Sequence, residues 1–191
     1  MYYAVDVLRT VGLRDNDLSS DDAVITDGPT GKQDAFILQR KLSASVSDKK
    51  WDLIGSGLPS QFGVYTAFNS LNYHGSIFAL HIGTDAVLEV SLGESVTSSE
   101  HNSLFILLPG ITPVVFDVPF APSDAPFQDI GIRLQHSQLV VVVNCTLVDF
   151  VTLDRDPDPF LVMNETVVEI FGNGAIVSLL RPTCTISTGT K

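Results

Sequence analysis

The residues with the most chemical potential here are two cysteines, three alternating aspartates and two asparagines in glycosylation sequons. Cys145 and Cys184 are an even count that fits one disulfide, with two buried free thiols as the alternative. No Cys-x-x-Cys spacing marks a redox pair. We expect Cys145 and Cys184 to be bonded, closing a loop of about 40 residues and adding roughly 4 kcal/mol in the chain-entropy model. Asp154, Asp156 and Asp158 alternate, and Glu165 follows, in a spacing that echoes a calcium loop. Pro159 stands where such a loop needs glycine, and Pro157 stiffens it, so the expectation is a solvated acidic turn and no cofactor, with these aspartates as the calcium candidates. The sequons are Asn144-Cys145-Thr146 and Asn164-Glu165-Thr166. If Cys145 is bonded within a buried strand, Asn144 is a poor acceptor and Asn164 is the better one.

Catalytic patterns are missing. His74, His81, His101 and His136 form no H-x-H or H-E-x-x-H spacing. There is no G-x-S-x-G and no phosphate-binding loop. Glu89 and Glu94 are the nearest carboxylate pair for glycoside hydrolysis, but an odd spacing along a strand turns them to opposite faces. The expectation is a protein that is not an enzyme.

The elements that must position these groups read as strands. The stretch Phe127–Leu147 organises the chain. Ile130, Ile132 and Leu134 alternate with Gly131, Arg133 and Gln135, the period of a strand with one buried face. After the polar break Gln135-His136-Ser137-Gln138, the run Leu139–Val143 is apolar and mostly β-branched, which suits a strand covered on both faces. Further strands are expected at 35–39, 42–46, 62–68, 78–82, 88–92, 104–108, 114–118, 149–153, 167–171 and 175–180. Gly172-Asn173-Gly174 reads as a hairpin turn between the last two. Residues 6–12 read as one short helix or a strand, and 15–30 as an acidic loop. The fold expected is all-β, an antiparallel two-sheet jelly-roll sandwich of about twelve strands with at most one short N-terminal helix, spanning 1–191 as one domain.

Composition bounds the partners. The 191 residues carry 22 acids against 11 bases, a formal charge of −11. Such a field repels polyanions, so nucleic acid and anionic membrane surfaces are disfavoured. No run approaches the ~18 apolar residues of a membrane span. Met1-Tyr2-Tyr3-Ala4-Val5-Asp6 lacks the basic start and apolar core of a signal peptide, so we expect an excised or mature domain. The cysteines and sequons together lean extracellular.

Taken in order, several landmarks resemble the thrombospondin N-terminal-like domain of the laminin-G-like, concanavalin-type superfamily. They are Val5-Asp6-Val7-Leu8 with Gly12-Leu13, Ala35-Phe36-Ile37, Gly57-Leu58-Pro59-Ser60-Gln61-Phe62, and Phe127-Gln128-Asp129-Ile130-Gly131-Ile132. Val142-Val143-Asn144-Cys145 and Cys184 complete the series. Phe127-Gln128 replaces the family's Trp-His, and Asn144 replaces its Asp. The family's basic clusters are not evident, so glycosaminoglycan binding is not carried over. The resemblance implies the sandwich fold, the Cys145–Cys184 bond and a secreted, non-catalytic module at the head of a larger matrix protein. Its partners would be extracellular proteins, or, as the alternative, carbohydrates in a lectin-like mode with calcium. Trp51, Tyr73 and His74 are the expected interaction residues, as loop aromatics open to solvent.

Overall fold

The computed structural model describes residues 21–45, 62–71, 73–82, 84–95, 97–135, 137–158, 166–172 and 174–178. These form thirteen strands and no helix. The first six are β1 Ala23–Thr26, β2 Ala35–Leu38, β3 Leu42–Ser45, β4 Phe62–Asn69, β5 Gly75–Ile82 and β6 Asp85–Glu94. They are followed by β7 His101–Leu107, β8 Val114–Pro119, β9 Phe127–Gln135, β10 Gln138–Val143, β11 Thr146–Thr152, β12 Thr166–Ile170 and β13 Ile176–Ser178.

All pairings are antiparallel. One sheet has seven strands in the order β1-β2-β13-β4-β9-β10-β11, and the other has six in the order β3-β12-β5-β6-β7-β8. Period-two alternation decides which side chains meet between them. Phe68, Ile130, Ile132, Leu134, Leu139, Val141, Val143 and Val177 of the larger sheet share one core cluster with Leu80, Leu88, Val90, Leu104, Ile106, Phe116, Val168 and Ile170 of the smaller. Each large side chain so buried contributes about 1.5–3 kcal/mol. β10 is covered on both faces near its end, since Val141, Val142 and Val143 are all buried.

Three differences from the sequence expectations matter. Ala23–Thr26 is a strand inside the stretch read as loop. Flanking Asp-Asp and Asp-Gly hide it in the sequence, and pairing with β2 forms it. Gly172–Gly174 is not a hairpin: β12 pairs with β3 and β5, whereas β13 pairs with β2 and β4 in the other sheet. The chain crosses between layers there, through positive φ at Phe171 (46°) and Gly174 (80°). Asn144 and Cys145 do not prolong β10. Both have positive φ, 49° and 63°, and Val143 pairs with Thr146, so they are the two central residues of a tight hairpin turn. The short helix or strand expected at 6–12 lies outside the described residues.

The crossover is fastened by aromatics. Phe68, Tyr73 and Phe171 meet edge-on, with centroids 5.7, 5.2 and 6.0 Å apart. The Tyr73 hydroxyl donates to Ser76 O at 2.6 Å and accepts from Gly172 N–H at 2.8 Å.

Candidate binding face

The outer face of the seven-stranded sheet gathers unlike side chains around one aromatic ring. Phe62, Val64 and Phe68 of β4 stand opposite Leu134, Ile132 and Gln128 of β9, on the core side. Gly63, Tyr65 and Ala67 therefore point outward, opposite Arg133, Gly131 and Asp129. The ladder continues outward: Arg133 stands opposite Val140, and Gly131 opposite Val142. Val140 then faces Phe150, and Val142 faces Leu147 across a bulge at Val148.

Two glycines on this face give Tyr65 its posture. A Cβ on Gly131 would stand 2.6 Å from both Tyr65 Cδ1 and Cε1, and one on Gly63 would stand 2.8 Å from Cε2. No side chain fits there unless the ring shifts, so Tyr65 packs against bare backbone at both glycines. It remains 41% exposed. Burial of the inner side pushes the phenol above its ordinary value, and the nearby Arg133 charge opposes that.

Polar groups border the ring along β9. The Arg133 guanidinium donates to the Gln135 amide oxygen. Arg40, Lys41 and Arg155 instead pair with the carboxylates of Asp22, Glu169 and Asp158. On the other side of Gly131 is Asp129, whose carboxyl burial holds above the usual range. Its backbone is clamped to the hairpin tip: Asn144 N–H donates to Asp129 O at 2.8 Å, and Asp129 N–H to Asn144 Oδ1 at 2.9 Å. Toward the edge strand the face turns apolar, with Leu147 58% and Phe150 51% exposed. The arrangement offers a part-exposed aromatic ring, a guanidinium and a carboxyl group on one sheet, beside an apolar margin.

The residues singled out in the sequence fall elsewhere. Tyr73 is not a surface aromatic: it is buried, with its hydroxyl bonded on both sides. The short run Asn72-Tyr73-His74 resembles an exposed polar tip, but the ring turns inward to Phe68. His74 is exposed, with Nδ1 4.0 Å from Glu94 Oε1. Trp51, Cys184, Asn164 and His136 lie outside the described residues. Cys145 is disulfide-bonded.

Asp154, Asp156 and Asp158 do not converge. Asp156 accepts from Ser137, Asp158 pairs with Arg155 at 3.5 Å, and Asp158 N–H donates to Pro109 O. Among the described residues no three His, Cys, Asp or Glu side chains gather as metal ligands do. Glu89 and Glu94 alternate to opposite faces of β6, with ladder partners Leu107 and Asn102. Sequence reasoning passed over Tyr65. Its signal was present as a glycine two positions before it and another in Gly131-x-Arg133, but only the pairing register brings them under one ring.

No family model and no curated protein matches the chain. Among solved structures, the mouse laminin α1 chain, domains LG4-5, is similar at 15% identity with a TM-score of 0.51, over 87% of this chain and 40% of that one. The fold is the laminin G-like jelly roll. A heptameric SAP-like pentraxin from Limulus polyphemus is more loosely similar: 12% identity, TM-score 0.49, 65% of this chain and 64% of that one. So is the CBM40 of a Ruminococcus gnavus sialidase, at 12% identity and TM-score 0.49, over 75% of this chain and 88% of that one. The chain thus spans under two thirds of the pentraxin and about two fifths of the laminin chain. Within this jelly roll Tyr65 lies on the outward side of the seven-stranded sheet.

Proposed function

We propose that this laminin G-like jelly roll is a non-catalytic extracellular binding module, of the thrombospondin N-terminal-like kind, which takes a saccharide on the outer face of its larger sheet. The observation that carries this is the position of Tyr65, packed against Gly63 and Gly131 and 41% exposed. The C–H-rich face of a sugar ring packs on such a π surface. Arg133, Gln135 and Asp129 supply donors and acceptors for the hydroxyls around it. The ring packs against two glycines, which limits the freedom it has to lose on binding.

A second reading, protein ligands, is favoured by Leu147 and Phe150 beside Arg133. Exposed aromatic, aliphatic and arginine side chains on one face are the composition of interface hot spots. The two readings part on a glycan array probed with the intact chain, with and without chelator. Binding that Tyr65→Ala abolishes supports the saccharide reading, and chelator sensitivity would implicate calcium. No glycan bound, together with capture of an extracellular matrix protein that Phe150→Ala abolishes, replaces it with the protein reading. Bound oligosaccharide recovered intact supports a non-catalytic role, and cleavage products lost in Glu89→Gln overturn it.

A further inference from the structure

A bonded Cys145 within a buried strand would make Asn144 a poor glycan acceptor. Cys145 is bonded, but the fold removes the burial. Asn144 is exposed, at the tip of the β10–β11 turn, with φ of 49°. Thr146, whose hydroxyl completes the sequon, is exposed as well. The Asn144 side-chain oxygen Oδ1 accepts from Asp129 N–H at 2.9 Å. The side-chain nitrogen Nδ2, the atom through which a glycan is attached, has no hydrogen-bond partner among the described residues. Among the described residues, a sugar on it displaces no hydrogen bond.

We propose that Asn144 is an N-glycosylation site, an inference that rests on the extracellular reading above. The co-substrate would be a lipid-diphosphate-linked oligosaccharide of the secretory pathway. In the nascent chain the Asn144 amide nitrogen forms a bond to C1 of the first sugar. The C1–oxygen bond to the diphosphate breaks, the lipid diphosphate leaves with the bonding pair, and the amide proton passes to a base of the transferase. Folding then closes the turn beneath the glycan, which stands next to Asp129 at one end of the binding face.

The test is export of the full chain from a eukaryotic host behind a cleavable leader, in an Asn164→Gln background. Treatment with a glycan-releasing amidase should remove one glycan's mass and leave Asp at position 144. Adding Thr146→Ala should abolish the shift, and Thr146→Ser should keep it, which separates loss of the sequon from loss of folding. Exported, disulfide-bonded N164Q protein with an unmodified Asn144 overturns the inference and leaves the extracellular reading standing. Retention of the chain with both thiols reduced overturns both.

Discussion

Tyr73 holds the point where the chain leaves one sheet for the other. Its hydroxyl satisfies Ser76 O and Gly172 N–H, 99 residues apart from Tyr73 in the second case. Tyr73→Phe keeps the ring contacts with Phe68 and Phe171 and leaves Gly172 N–H without that acceptor. The expected loss is about 1–3 kcal/mol, read as a lower urea midpoint at unchanged slope. Asp129 gives a pH signature of opposite character. Burial raises its carboxyl above the unfolded value, so the native state binds the proton more tightly than the unfolded state. Stability from this group is therefore lost as pH rises through the folded value and regained as pH falls below it. Asp129→Asn removes that dependence and keeps the backbone clamp to Asn144. Compared by denaturation across the acid range, the variant should gain on the wild type as pH rises from below the ordinary aspartate value to neutrality. A constant difference would place the cause of the shift elsewhere.

Strands are where sequence and structure agree best, because alternation is a local signal. Ile130, Ile132 and Leu134 face inward as their spacing requires. The unbroken valines of β10 mark a strand covered on both sides only at its end, Val141 to Val143; Val140 is half-buried. What alternation lacks is register. It shows Gly63 and Gly131 on wet faces but not that β4 and β9 are neighbours with Tyr65 opposite Gly131. Nor can it say that the glycine-flanked segment after Phe171 changes sheets, since hairpin and crossover use the same turn residues. Local chemistry also misled at Tyr73, where a polar run conceals an inward ring. The binding face depends on this unreadable register, and Gly131→Ala tests it. The added methyl collides with the Tyr65 ring at 2.6 Å, so the ring must lift. Saccharide affinity should fall at least tenfold while the fold survives, checked by titration and by far-ultraviolet circular dichroism. Equal affinity would mean that the Tyr65 ring, as packed on the glycines, is not the platform.

At the scale of the whole molecule, the last described strand does not lie at the margin. β13 sits between β2 and β4 in the middle of the larger sheet, and Cys184 follows it by six positions. Cys145 sits at the tip of the β10–β11 hairpin, toward one edge of the same sheet, and is disulfide-bonded. We propose Cys184 as its partner, the chain's other cysteine. Such a bond ties the segment that follows β13 to the β10–β11 hairpin. A core of this size does not need the link to form, so Cys145→Ser combined with Cys184→Ser should fold with the same circular dichroism spectrum. It should lose about 2–4 kcal/mol in urea, and reductant should lower the wild-type midpoint to the level of the variant. Thiol labelling of the unfolded, unreduced wild type should find no reactive sulfur. A wild-type midpoint indifferent to reductant would show that the link constrains nothing in the native sheet. The rigidity of the face would then rest on the strand ladder and the core beneath it.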